Sequence, residues 1–353
     1  MARSKVTRGF GDRGGMKGVA LAALMCCAST MALAENARYS DHDPNGGMRT
    51  GFVADVWLPA IESQTDIDVQ EFFAGTLMGS KEVLAGVGSG VADMGFVYPG
   101  HYPNRLAAHS IFSLFPRGPQ EFDDMAWFYH QVYDRVPAFK EELAKEGVVP
   151  LMVTAGLPGA FVGRNELNGI DDISGDKWRA GGKWPLKYLE NAGAVPVSVP
   201  WGDVYVALQT GSIDGTFTNY DGLHLMKFDE VAQNLLISKE LWFAVPFLHI
   251  ANKSFVEGLS AEAATGLVEA SRAAEAEFSA VYNAAFDQVR SEQEAAGYRV
   301  TELSGADVEK WENAAELENL RAEWITSAEE AGLANAAEVM EQVKAIHAEA
   351  LAR

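Results

Sequence analysis

Cysteine is almost absent from this chain of 353 residues: the two present, Cys26 and Cys27, are adjacent and lie close to the N-terminus. Both fall in a leader-like segment, so the rest of the chain is expected to have no thiol chemistry, no disulfide and no cysteine-bound metal. The seven histidines show no metal-ligand spacing. Asp41-His42-Asp43 is a tempting cluster, but three consecutive side chains do not easily converge on one ion. Beyond the leader there is no G-x-S-x-G, no H-E-x-x-H, no Walker loop and no G-x-G-x-x-G. Gly86-Val87-Gly88-Ser89-Gly90 is glycine-rich but falls at a helix end, where glycine caps. Neither a metal nor a cofactor is expected, and nothing marks the chain as an enzyme. No later stretch approaches the 18 or so apolar residues that cross a bilayer.

Basic residues are also few. Lys and Arg number 28 against 49 Asp and Glu, for a formal charge of −21. The first 34 residues hold five of the basic residues and one acidic residue, so the chain without them carries −25. Such a surface excludes nucleic acid and anionic lipid as partners. It also repels an anionic ligand at long range, so any site for an acid must be locally basic. That requirement turns attention to each arginine near a strand end.

The leader has recognisable parts. Arg3, Lys5, Arg8, Arg13 and Lys17 precede an apolar run from Val19 to Cys27, and Ala32-Leu33-Ala34 closes it. Basic start, short apolar core and A-x-A end read as a secretory signal cleaved after Ala34. Met16 is an alternative start, because MKGVALAALMCC already suffices. The expected destination is the periplasm.

Periodicity organises the remainder. Helices are expected over about Arg49–Gln64, from an N-cap at Ser80, over Glu121–Gly147 with a break at Pro137, over Leu186–Asn191, over about Asp203–Thr210, over Asp307–Ala331 and over Asn335–Ala352. Strands are expected at Ile67–Phe73, Ala92–Tyr98, Val148–Thr154, Lys177–Ala180, Val195–Val199, within Ser212–Thr218 and at Phe247–Asn252. Ala261–Ala296 contains no proline and one glycine; as a single helix it is roughly 54 Å long and long enough to bridge two lobes. The alternation of strands and helices predicts parallel pairing with right-handed crossovers.

The most informative segment is Ile173–Gly215. It alternates strand and helix, and its polar and aromatic residues gather at the strand ends, where open α/β sheets bind small ligands. Arg179 ends a strand just before Gly181-Gly182, and its planar fork fits a carboxylate; an arginine paired with a surface acid is the plainer reading. Trp201 is either a core tryptophan or a flat wall for the apolar part of a ligand. Thr218 and Asn219 are turn formers or hydrogen-bond partners. Tyr98 and His101, after a strand of the first half, and His42, in the loop Ser40–Gly47, complete the candidate set.

Three stretches carry a family resemblance: GTLMGSKEVLAGVGSGVADMGFV (Gly75–Val97), GIDDISGDKWRA (Gly169–Ala180) and VPWGDVYVALQTGSIDG (Val199–Gly215). With them the chain resembles the periplasmic solute-binding subunits of tripartite ATP-independent periplasmic (TRAP) transporters, of the dicarboxylate-binding type, over nearly its whole length from Arg38. The resemblance implies a two-lobe α/β binding protein of type II character, with crossing strands, a long hinge helix that bends on closure and a helical C-terminus. It places lobe I at 35–153 plus about 245–285, and lobe II at 154–244 plus about 286–353. It implies an organic acid clamped by Arg179, an aromatic at Trp201, and TRAP membrane permease subunits as partners. A binding protein serving a signalling receptor or an ATP-driven importer, or an exported enzyme, are the alternatives. The chain departs from the family where many members carry a second arginine near Gly159-Ala160; Arg164 is the nearest here. It also has Thr216-Phe217-Thr218-Asn219 where many have Glu-Asn-Pro after Asp-Gly. These departures favour a smaller or more aromatic monocarboxylate.

Overall fold

The computed structural model describes residues 35–353, so the expected leader lies outside the described residues. Strands that read as continuous apolar runs are the central ones. Met94–Val97, Gly159–Gly163, Gly215–Asn219 and Phe247–Asn252 are buried at every position, as strands covered on both faces must be. Ile67–Phe72, which alternates, lies at a sheet edge.

In chain order the strands are β1 Glu35–Ser40, β2 Ile67–Phe72, β3 Met94–Val97, β4 Val148–Thr154, β5 Gly159–Gly163, β6 Lys177–Ala180, β7 Val195–Val197, β8 Gly215–Asn219, β9 Asn234–Ile237, β10 Phe247–Asn252 and β11 Arg299–Glu302. They form two sheets. One has the order β2-β1-β3-β10-β4, and the other β11-β9-β5-β8-β6-β7. In the first, β1 is parallel to both β2 and β3, so the expected strand–helix–strand crossover passes over β1. β10 runs antiparallel to β3 and β4, returning the chain from the second sheet. In the second, β6, β7 and β8 are parallel, and β5 is antiparallel to β8 and β9.

The predicted long helix is one element, Ala261–Ala295. Ser260 caps it through Ala263 N–H at 3.1 Å, no proline interrupts it, and Leu267, Ala274, Phe278, Ala285 and Val289 lie on its buried face. It is pinned to both halves. Ser271 Oγ accepts from Trp57 Nε1 at 3.1 Å on the first side. On the second, Gln293 takes a hydrogen bond from Tyr220 OH at 2.5 Å and donates to Asp229 at 2.7 Å.

Several expectations needed correction. Residues 48–64 are helical, but Val53–Trp57 is wound as a π-turn. Pro59 has no N–H to give the preceding turn, and the wider winding absorbs the mismatch. Ser80 is not an N-cap: the helix starts at Val83. Its start is held instead by Tyr102 OH, which donates to Ser80 O at 2.7 Å and accepts from Leu84 N at 3.3 Å. The helix expected over Asp307–Ala331 is two, Gly305–Ala314 and Leu317–Glu330, because Glu316 takes a left-handed conformation at φ 46°. That break sends Trp311 against Phe161 and Phe217 of the second sheet. Trp324 goes to the first side, where Nε1 donates to Ser110 Oγ at 2.9 Å. The final helix, Ala336–Leu351, packs on Phe122–Arg135, again on the first side. The stretch 286–353 is therefore shared between the halves rather than belonging to the second alone. Strands β1, β5, β9 and β11 were not expected.

Candidate functional site

The two sheets face each other across a cleft, with strand ends on both sides. β1 ends at Ser40 and leads into Asp41-His42-Asp43; β3 ends before Tyr98. From the other side, β6 delivers Arg179, β7 leads to Trp201, and β8 ends in Thr218-Asn219. All seven residues singled out in the sequence (His42, Tyr98, His101, Arg179, Trp201, Thr218 and Asn219) line one cavity.

Arg179 is one of two arginines lining that cavity. It is 3 % exposed. Nε donates to Val199 O at 3.1 Å, and the guanidinium lies 5.4 Å from the Trp201 ring centroid. Its two terminal nitrogens have no hydrogen-bond or ion-pair partner among the described residues. Burial lowers its pKa to about 10, with the nearby Tyr98 acting slightly against that. The group is still a cation at neutral pH, but one that has lost its water and gained no counter-ion. A carboxylate would supply what it lacks.

Sequence reasoning missed a charged cluster on the other side of the pocket. Arg49 is equally buried, but its charge is already taken. Its terminal nitrogens donate to Asp41 at 2.5 and 3.0 Å and to Asp43 at 2.7 Å, and its guanidinium stacks 3.5 Å over Phe96. The two aspartates hold its pKa above the ordinary value despite burial. Both carboxylates of Asp41-His42-Asp43 thus turn onto one guanidinium. Among the described residues no group of three or more His, Cys, Asp or Glu is arranged to hold a metal. Behind Arg49, Asp41 also accepts from Tyr39 OH at 2.9 Å, which meets His249 Nδ1 at 3.2 Å, and His249 Nε2 meets Thr154 Oγ1 at 3.0 Å.

Trp201 connects the two sides. Its Nε1 donates to Asp43 Oδ1 at 2.8 Å, across 158 residues of sequence. Tyr98 OH also reaches over, to Gly181 O at 3.4 Å. The apolar walls are Phe96, Phe243 and Phe247, with Tyr98 stacked 6.0 Å from Phe243 and edge-on 5.8 Å from Phe247. His42 and His101 lie 5.6 Å apart by ring centroid, and each has a buried Nδ1 without a partner among the described residues. Burial, then the nearby His42 and Arg179, push the His101 pKa well below its usual value, so that ring is neutral. Thr218 Oγ1 donates to Asn219 Oδ1 at 3.1 Å, and Asn219 Nδ2 donates to Asp221 Oδ1 at 2.8 Å.

Arg164 takes no part. It follows β5 at the end opposite Gly159, where Gly159 pairs with Asn219 of the site. Five residues at about 3.3 Å each place it well over 10 Å away. There it lies 3.9 Å from Asp214 and against Gly211. Arg49 looked like an ordinary helix start, and neither it nor Phe243 and Phe247 carried a signal in the sequence that marked them for the site.

Comparisons with known proteins agree with this architecture. The family model described as bacterial extracellular solute-binding protein, family 7, matches residues 56–322. The ectoine-binding periplasmic protein TeaA of Halomonas elongata is 27% identical over 243 residues, covering 69% of this chain and 70% of that protein. The ectoine/5-hydroxyectoine-binding periplasmic protein UehA of Ruegeria pomeroyi is 27% identical over 245 residues, covering 69% and 71%. Among solved structures, a marine-metagenome TRAP solute-binding protein specific for aromatic acid ligands, in complex with 3-hydroxybenzoate, superposes with a TM-score of 0.77. It is 22% identical over 90% of this chain and 99% of that one.

Proposed function

The chain belongs to the bacterial extracellular solute-binding protein family 7, and from that premise we propose that it captures a small monocarboxylate in the periplasm and hands it to TRAP membrane permease subunits. The observation that carries the reading is Arg179: a buried guanidinium with both terminal nitrogens unpaired, walled by Trp201, Tyr98, Phe243 and Phe247. Its fork takes the carboxylate in bidentate fashion, and the aromatic rings take the apolar remainder. Thr218, Asn219, His42 and His101 supply polar contacts around the rim. A single free arginine fits one carboxylate, and the second cation, Arg49, is already neutralised. Relatives in the family bind ectoine, and structural neighbours bind 3-hydroxybenzoate or pyroglutamate, a range compatible with a compact acid.

The two sheets are the bodies of two lobes. Ligand binding draws them together about the strand crossings and the Ala261–Ala295 helix, and the Trp201–Asp43 bond forms across the closing cleft. The closed, loaded form is what the permease receives. The acidic exterior leaves Arg179 as a local attractor.

The test is a thermal-shift screen of the purified chain over carboxylic acids, followed by calorimetry. Binding at a hundredfold excess over the dissociation constant adds about 2.7 kcal/mol of stability, easily seen in the melting temperature. A protein that turned over the acids, or bound none of a broad panel, would overturn the reading. Scattering should show compaction with ligand, and equal radii would count against lobe closure.

A further inference from the structure

A second charged group without an ion-pair partner among the described residues faces the same cavity and fits no part of simple acid capture. Asp221 is the second residue of the short helix Tyr220–Leu225, and its side chain lines the cavity that holds Arg179. Oδ1 is occupied: it accepts from Leu157 N at 2.7 Å and from Asn219 Nδ2 at 2.8 Å. Oδ2 has no hydrogen-bond partner among the described residues. Asp221 also forms no ion pair within 4.0 Å, neither with Arg179 nor with Arg49, whose two ion pairs are with Asp41 and Asp43. Burial raises the Asp221 carboxyl above the usual carboxylate range, against the lowering effect of its hydrogen bonds and of Arg49.

The charges of the wall can then be counted. Arg49 with Asp41 and Asp43 leaves one negative charge, Arg179 adds one positive, and Asp221 adds one negative. A simple anion bound at Arg179 would neutralise that cation and leave Asp221 uncompensated, in a space from which water has been displaced. Leaving a desolvated charge without a partner is costly. A ligand with a positively charged nitrogen as well as a carboxylate satisfies both ends.

We infer that the ligand is amphoteric, with a carboxylate for Arg179 and a cationic nitrogen for Oδ2 of Asp221, and that Asp221 is the residue selecting it. The inference rests on the proposed acid capture and narrows its ligand class. Nothing in the fold requires an acid at this position: an asparagine would keep the acceptor for Leu157 N–H.

Matched probes test it. Cyclopentanecarboxylate, pyroglutamate and proline share a five-membered ring and a carboxylate, and differ in carrying no ring nitrogen, a neutral N–H or a cationic nitrogen. Benzoate and 3-(aminomethyl)benzoate form a larger pair. By calorimetry the cationic member of each set should bind at least about tenfold more tightly than the plain acid, the scale of one close charge pair, with pyroglutamate between. In Asp221→Asn the preference should shrink to about threefold or less while affinity for the plain acid is kept or improved. Plain acids binding wild type as tightly as their amino counterparts would overturn the inference and leave acid capture standing. An unchanged preference in Asp221→Asn would overturn the assignment of Asp221. Failure of every carboxylate to bind would remove both readings. The wild-type ranking decides the ligand class even if the variant folds poorly.

Discussion

Arg179→Met is the most revealing perturbation, because it should improve one property while destroying another. Arg179 is 3 % exposed, and burial lowers its pKa well below the ordinary arginine value, to about 10. At about 1.4 kcal/mol per pH unit, this amounts to roughly 3 kcal/mol by which the charged guanidinium destabilises the ligand-free protein in the arrangement seen here, with Trp201 and Asp43 already joined across the cleft. The sign follows from linkage: with the folded value below the unfolded one, the penalty is present at every pH below about 10 and is relieved only on deprotonation above it. Methionine keeps the stem and removes the charge. It also removes the Nε–Val199 hydrogen bond, worth about 1 kcal/mol, and the contact with Trp201, worth about another 1 kcal/mol. The ligand-free variant should therefore be more stable by about 1 kcal/mol, or about 2 °C in melting temperature for a chain of this size. Affinity for the acid should meanwhile fall by roughly 2–5 kcal/mol, about 30-fold to several thousandfold. Arg179→Lys should also bind weakly, since an ammonium cannot reproduce the fork. Urea unfolding without ligand at pH 7.5, paired with calorimetry, measures both effects. A variant clearly less stable than wild type would refute the desolvation argument. Near-native affinity would refute the anchoring role and pass it to the other cation of the cavity, Arg49.

Trp201→Phe keeps an aromatic wall but deletes the donor to Asp43; a hydrogen bond to a charged acceptor is worth about 1.5–3 kcal/mol. Small-angle scattering should then show incomplete compaction at saturating ligand, and a radius equal to that of liganded wild type would deny Trp201 a part in closure. His249 is held at a pKa of about 3 by burial and by Arg49. Its folded value is depressed, so the neutral ring's contribution is complete above about pH 6.5 and is lost below it by about 1.4 kcal/mol per unit, or about 2 kcal/mol at pH 5. His101 and His347 act in the same direction, whereas His130 and His224, raised by Glu275 and by Asp229, act oppositely. The measurement is thus the difference between wild-type and His249→Gln stabilities from pH 7 to pH 5, and parallel curves would exclude His249 as the source. Gly211→Ala meets two obstacles, a φ of +74° and Arg164 Nη1 at 2.5 Å from the new Cβ. It should cost about 1–2 kcal/mol without altering affinity, because Gly211 is remote from the cavity; a change in dissociation constant would contradict that placement.

Local chemistry made much of this protein legible. Gly211 stops its helix where a left-handed residue was needed, Pro137 splits its helix, and Ser260 starts the long one. The seven candidate site residues share a cavity because strand ends gather polar and aromatic side chains wherever a parallel sheet is recognised. What escaped depends on contacts between distant segments. Strands β5, β9 and β11 are short and lack turn signals strong enough to set them apart. The cap on the Val83 helix comes from Tyr102, and the turn at Glu316 is made by a residue with no preference for it. Arg49 looked like an ordinary helix start; only folding shows that Asp41 and Asp43 converge on it and leave Arg179 as the cation without a partner.

The double anchoring of the Ala261–Ala295 helix restricts how this chain can evolve. Inserting one residue between Ser271 and Gln293 would turn the distal end by about 100° and advance it by about 1.5 Å, carrying Gln293 away from Asp229 and Tyr220. No loop lies between the anchors to absorb the shift. Surface connections elsewhere can lengthen or shorten, and the cavity wall can exchange side chains to take new ligands. This 22-residue spacing is fixed by its two ends, so the helix is the ruler against which the rest of the molecule is free to vary.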